Sequence, residues 1–189
     1  MKRIISIITI LFSISCNSQV ISLEQEAQCL ENSDCPQQYY AKDINNSLSK
    51  YIGVWKGEYN GKKYEIKFNK SLSENFLGYK SDILKGRLKV SSLDGQTIFF
   101  NNLNEIDDEK TNFSGLSFTP NLVEYTMFFT GTAIQGCIND GTLYLKIKSN
   151  NPNQMTVFYW SEKDTVVGEC SNTFSQTFPE KKLIHLTRQ

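Results

Sequence analysis

Five cysteines and one histidine are the residues of this chain best suited to covalent, redox or metal chemistry. Cys16 closes the first apolar run. Lys2 and Arg3 form a short positive region, and Ile4 to Ile14 an apolar stretch lightly broken by Ser6, Thr9 and Ser13. The small residue Ser15 then precedes the cysteine. The stretch is too short to cross a bilayer as a stable helix and has the layout of a secretory signal peptide. A cysteine directly after a small residue suits a lipoprotein signal peptidase, which cuts before it and leaves its thiol carrying a diacylglycerol. Ser13-Ile14-Ser15-Cys16 lacks the leucine common three places before the cysteine, although Leu11 and Phe12 lie close by. Ordinary secretion with cleavage nearby, or an uncut anchor, is the alternative. Acylation with fatty chains of the palmitate kind would anchor the chain firmly, because each buried CH₂ contributes about 0.8 kcal/mol. The expectation is a signal peptide over residues 1–15 and lipidation at Cys16. Asn17-Ser18-Gln19 carries no acidic cluster, which favours the periplasmic face of the outer membrane over the cell surface.

The four remaining cysteines are Cys29, Cys35, Cys137 and Cys170. An exported chain with an even count supports disulfides, and four cysteines allow three pairings. The simplest is Cys29–Cys35, closing a small loop, with Cys137–Cys170 stapling the core. Zinc is disfavoured, because the spacings are not those of paired Cys-x-x-Cys ligands and His185 has no partner in sequence. No metal or cofactor is expected.

His185 could act as a general base only beside a nucleophile and an orienting group, and neither is visible. If Ile184, Leu186 and Arg188 point inward on a last strand, His185 faces solvent. Glu105, Asp107, Asp108 and Glu109 cluster carboxylates without the spacing or central glycine of a calcium loop, and read as a solvated loop. Glu58 and Glu65 fall on an outward face among lysines. Asp164-Thr165-Val166 fits a short bacterial O-glycosylation pattern. Twenty basic residues balance twenty acidic ones, and no basic run suggests nucleic acid. The chain is expected not to be an enzyme.

The elements that must hold these residues are mostly strands, as the abundance of aromatic and turn-forming residues suggests. Residues 16–47 read as a lipid-anchored tether holding the small disulfide loop. Ile21 to Leu30 is a candidate helix capped by Ser22 with Gln25 three places on, and Asp43 to Lys50 a helical turn. From Tyr51 the apolar period becomes two. Trp55 and Tyr59 share one face, Asn60-Gly61 marks a tight hairpin, and Tyr64, Ile66 and Phe68 alternate with Lys63, Glu65 and Lys67. Ser71 to Lys80 reads as a connector, followed by strands at Asp82 to Val90 and Thr97 to Asn102. Glu105 to Pro120 reads as a long loop. Further strands follow at Val123 to Phe129, Ala133 to Ile138, Thr142 to Lys148, Met155 to Trp160, Thr165 to Cys170 and Lys181 to Arg188. About eight to ten antiparallel strands joined by tight turns fit a closed up-and-down β-barrel over residues 48–189, because closure removes exposed edges. A β-sandwich is the alternative.

Gly53-Val54-Trp55, following the turn at Asn45 to Lys50, resembles the Gly-x-Trp on the opening strand of calycin barrels, the lipocalins and avidins. The resemblance implies a basic residue on the last strand packing over the tryptophan, a role that falls to Arg188. The second lipocalin motif is not recognisable, and the tight first hairpin is closer to avidins. The chain as a whole resembles a group of small uncharacterised lipoproteins from Bacteroidota-type bacteria, a domain of unknown function. That likeness is carried by Ile4 to Ile10, Gly53 to Tyr59, Asn101-Asn102-Leu103-Asn104-Glu105 and Ile184-His185-Leu186-Thr187. It implies no activity.

The inward aromatics Tyr59, Tyr64, Phe68, Tyr125 and Phe129 either line a ligand pocket or fill the interior, since eight strands leave a space just wide enough for side chains. The expected function is therefore that of a cell-envelope lipoprotein whose barrel binds a small apolar ligand or an envelope partner. The alternative is an interaction or inhibitor protein, laid out like the small barrels that block lysozymes. It would act through rim loops, with Glu105 to Phe118 the candidate, and its barrel would be filled.

Overall fold

The computed structural model describes residues 19–75, 78–162 and 167–189. Cys16 and the Asp164-Thr165-Val166 pattern lie outside them. The chain opens with β1 (Gln19–Ser22), α1 (Leu23–Asn32) and β2 (Tyr39–Lys42). The barrel strands follow as β3 (Gly53–Tyr59), β4 (Lys62–Glu74) and β5 (Lys80–Ser92), with a short β6 (Ile98–Asn101) beside β5. After a 3-10 turn at Asp108–Lys110 come β7 (Phe113–Phe118), β8 (Tyr125–Thr130), β9 (Asp140–Lys148), β10 (Asn151–Ser161) and β11 (Leu183–Arg188).

Apart from β6, strands β3 to β11 pair with their sequence neighbours, β11 returns to β3, and β5 pairs with β7 across the β6 excursion. All these ladders are antiparallel. The result is a closed eight-stranded up-and-down barrel, as the alternation predicts. The first hairpin turns at Asn60 and Gly61, whose φ values of 47° and 75° suit the left-handed turn that matches strand twist. Its register sets Trp55 opposite Ile66. Tyr64, Ile66 and Phe68 are buried, while Lys67 is exposed.

Several boundaries differ from the sequence reading. Residues 71–80 are not a simple connector: β4 runs on to Glu74 and β5 starts at Lys80, pairing all the way. Residues 113–118, expected within a loop, are the strand that closes the barrel against β5. Its period was obscured by Gly115 at an inward position and by a register shift between Gly115 and Phe118. The hydroxyl of Tyr125 lies 2.3 Å from where a Cβ at Gly115 would sit, so the inner face has no room for an apolar marker there. Of Ala133 to Ile138 only a bridge between Ile134 and Cys137 forms, and residues 167–170 form no strand.

The segment expected as a tether is packed from Gln19 onward. Strand β2 joins β5 in parallel, and β1 joins β2. Ser22 caps α1, accepting from the Gln25 amide at 3.1 Å while the Gln25 side chain accepts from the Ser22 amide at 2.9 Å. Buried Asp82 accepts from the Tyr40 hydroxyl at 2.6 Å and from the Asp43 amide at 3.0 Å. Asp43 in turn accepts from the Ser47 amide and pairs with Lys70 at 3.3 Å. These charge-assisted bonds lock the segment from Tyr40 to Ser47 onto the β4–β5 hairpin. Leu23, Ala27 and Ala41 belong to the same core as the barrel interior. No helix among the described residues is long and apolar enough to cross a membrane.

Candidate functional site

The barrel has two filled ends. At one, Trp55 is fully buried, donates its indole N–H to the Tyr51 carbonyl at 2.7 Å, and lies under the Arg188 guanidinium at 4.7 Å. Arg188 also donates to the Lys50 carbonyl. Gly53 holds a φ of 125°, open to glycine but strained for other residues. Gly53, Trp55 and Arg188 thus form the closure that the calycin likeness implies. At the other end, the segment between β10 and β11 lays Phe178 into the mouth with 0 % exposure. Its ring lies 5.0 Å from Phe129 and 5.8 Å from Phe113 and Tyr64, within the range of favourable aromatic packing.

Of the five candidate pocket aromatics, Tyr64, Phe68, Tyr125 and Phe129 are buried; the first two and Phe129 join this ring cluster, and Tyr125 packs with Tyr51 and Phe118. Burial pushes the Tyr64 phenol up to about 12 and drives Tyr125 higher still. Tyr59 is half-buried and borders a shallow 200 Å³ depression with Lys62, Tyr64 and Phe178. Sequence reasoning missed Phe178. The signal available was an aromatic directly before Pro179 in a mostly polar stretch.

Both disulfides form as expected. Cys29–Cys35 has its Cα atoms 4.8 Å apart and Cys137–Cys170 4.6 Å. The second ties the loop after β8 to the segment that carries Phe178.

His185 is exposed and opposes Thr156, while Ile184 and Leu186 are buried. It borders a 420 Å³ groove with Lys146 and Lys148 on the barrel exterior. Glu65 pairs with Lys56 at 3.3 Å, and Glu58 lies opposite Lys63. The acidic run at 105–109 is not simply solvated. Arg87, almost wholly buried, donates to Asp108 at 2.7 Å, to Asn69 at 2.6 Å and to the Glu105 carbonyl. Lys85, also buried, reaches Glu109 at 3.7 Å. The cluster therefore neutralises two cations buried on the face of β5 opposite Leu84, Leu88 and Val90, and the Arg87 contact holds the Asp108 carboxyl below its usual range against its partial burial.

Two surfaces on the outside have the chemistry of recognition. On β9, β10 and β11, Tyr144 and Leu183 both lie opposite Phe158, and Trp160 stands two places on with 43 % exposure. Lys181 lies 4.4 Å over the Trp160 ring. Outward aromatic residues on an exposed face are the kind that anchor interfaces.

The second surface is a cleft of 640 Å³ between α1 and the β4–β5 hairpin. It is walled by the Cys29–Cys35 disulfide, Tyr39, Tyr79 and Leu116, with Glu26 at its base. Tyr39 and Tyr79 meet edge to face at 5.7 Å, and the Tyr79 hydroxyl donates to the Gln37 carbonyl at 2.6 Å. Glu26 is only 8 % exposed, and its Oε2 has no hydrogen-bond partner among the described residues. Burial raises its carboxyl to about 7, with the Tyr39 hydroxyl working against the rise. Tyr39 is pushed up to about 12 by burial and by Glu26. Glu26 escaped notice in the sequence, yet Leu23, Glu26, Ala27 and Leu30 follow helical spacing, and a carboxylate on that stripe is its signal.

Fold and surface together define a closed, packed antiparallel barrel with an aromatic face and a walled cleft on its outside. The chain belongs to a family of unknown function, DUF6705, which it matches over residues 1–159. Comparison with curated proteins and with solved structures gives no match.

Proposed function

We propose that this chain is a lipid-anchored cell-envelope binding protein whose barrel is a rigid scaffold and whose recognition surfaces lie outside it. The observation that carries this reading is the filled interior. Phe178 plugs one end, Arg188 and Trp55 close the other, and the aromatics between them touch one another rather than a cavity. An eight-stranded barrel can hold one small ligand or be packed with side chains, and the packing here favours the second state. The two disulfides support export to an oxidising compartment. The sequence up to Cys16 supports lipidation and retention at the outer membrane, with the periplasmic face favoured. The reading assigns no catalytic step. Of the rim loop Glu105 to Phe118 only residues 105–112 lie outside a strand, because Phe113–Phe118 is barrel wall. The exterior aromatic face at Tyr144, Phe158 and Trp160 takes its place as the surface for an envelope partner.

Native mass spectrometry of residues 17–189, purified from the periplasm of the protein's own host, tests the reading. A bare protein mass is expected. An added mass of small-molecule size that leaves on denaturation, and that persists when Glu26 is changed to Gln, would place a ligand inside the barrel and overturn it.

A further inference from the structure

A buried carboxyl oxygen without a hydrogen-bond partner needs an explanation, because leaving such an atom unsatisfied is costly. Glu26 carries such an oxygen, Oε2, although the Tyr39 hydroxyl acts on the carboxyl as a whole, and its side chain lines a cleft large enough for a small molecule. Among the described residues lining that cleft, Glu26 is the only acid and Lys80 the only base. Lys80 is already paired with Glu74 at 3.3 Å, so no cation among the described lining residues pairs with Glu26. Above it stand two aromatic faces, Tyr39 and Tyr79, and the half-exposed side chains of Leu30 and Leu116 offer apolar surface.

We propose that this cleft binds a small organic cation, its ammonium group seated on the Glu26 carboxylate and its apolar body lying against Tyr39 and Tyr79. The ammonium meets the carboxyl where its side chain lines the cleft, and a charge-assisted bond in a partly dry site is among the stronger ones. The aromatic faces add cation–π attraction. The disulfide fixes the end of α1 and so fixes the position of Glu26: Cys29 and Cys35 both contact the Glu26 carbonyl. The site deepens the reading of an outside recognition surface. A packed barrel with an empty cleft, or a filled cleft beside a ligand-bearing barrel, remains distinguishable by the two experiments.

Among the described residues facing Glu26, none competes with it as a titrating acid near neutrality. Tyr39 on β2 and Tyr125 on β8 are phenols held above their usual range, Cys29 and Cys35 are locked in a disulfide, Lys80 is paired on β5, and Asp43 is paired with Lys70. Binding of a cation therefore tightens as Glu26 ionises.

The test is titration of residues 17–189, which contain every described element, with phenethylammonium chloride, followed by two-dimensional amide NMR at pH 6 and pH 8. Saturable shifts are expected around Glu26, Tyr39 and Tyr79, with affinity about tenfold higher at pH 8. The isosteric E26Q variant should lose about tenfold or more in affinity and all of the pH dependence. The neutral analogue 2-phenylethanol should not compete. Absence of saturable binding at millimolar probe overturns the proposal, as does equal affinity at both pH values, equal affinity of E26Q, or equal competition by the alcohol. The pH comparison on the unaltered chain stands even if E26Q folds poorly.

Discussion

The rings of Phe178 and Phe129 meet edge to face with centroids 5.0 Å apart, although one lies in a coil segment and the other on β8. That contact makes the connection between β10 and β11 a stopper rather than a spacer. Truncating Phe178→Ala should cost about 3–5 kcal/mol in urea unfolding, since the cavity left behind is walled by the rigid barrel. The same variant should acquire an apolar void able to take benzene or a similar probe. Unchanged stability, or no gain of probe binding, would show that the stopper is not packed as described.

Arg188 and Trp55 act on the opposite end. Replacing Arg188 with Ala removes the stacked guanidinium and the bond to the Lys50 carbonyl, and should destabilise the fold by about 2–4 kcal/mol. Arg188→Lys keeps the charge but not the planar fork, and should recover less than half of the loss. Thermal unfolding of the two variants, read beside the intact chain, separates stacking from charge. Equal melting of Arg188→Lys and the intact chain would assign the closure to charge alone.

Glu26 gives the stability a pH signature. Burial raises its carboxyl from the ordinary 4.5 to about 7 in the folded state. Between those values the folded chain holds a proton that the unfolded chain releases. Stability should therefore fall as pH rises through this window and level off above it. The contribution is about 3 kcal/mol if the full difference is expressed. Glu26→Gln should be insensitive in this window and more stable than the intact chain at pH 8. Parallel urea titrations of both proteins at pH 5, 6, 7 and 8 measure the difference directly, and parallel profiles would contradict it.

Cys137–Cys170 clips the loop after β8 to the strand-free segment leading to Phe178, across a sequence separation of 33. In the chain-entropy description a loop of that size stabilises by about 3–4 kcal/mol. Paired serine substitution at Cys137 and Cys170 should lower stability by that order and speed hydrogen exchange in residues 167–182 more than in β4. Uniform exchange across the chain would mean that the disulfide does not hold the stopper.

Clean alternation made most of the barrel legible from the residues alone. Tyr64, Ile66 and Phe68 mark β4, Tyr125, Met127 and Phe129 mark β8, and Asn60-Gly61 marks the turn. The Ser22–Gln25 capping box marked α1 equally well. Strand β7 hid because its inward position is a glycine pressed against Tyr125, and its second half is shifted by a bulge. Hairpin β4–β5 hid its full length because the outer halves alternate among polar residues such as Ser71 and Ser73, where no apolar face betrays the period. Recognition surfaces were harder still. The outward row of Tyr144, Phe158 and Leu183 exists only once three strands are aligned, and the unpartnered state of Glu26 depends on what the fold places around it. The acidic run at 105–109 looked like free charge because its partners, Lys85 and Arg87, lie a strand away and point against the usual expectation for buried bases.

The early start of β1 sets a geometric bound on the proposed anchor. Gln19 already pairs with Tyr39, and the backbone from Cys16 to Gln19 can stretch no farther than about 10 Å. A lipid on Cys16 would thus hold the protein flush against the bilayer, with no leash on which to roam. One flank of the molecule, that of β1 and α1, would ride at headgroup depth, and a cation reaching the Glu26 cleft would approach it along the membrane surface rather than from open solution.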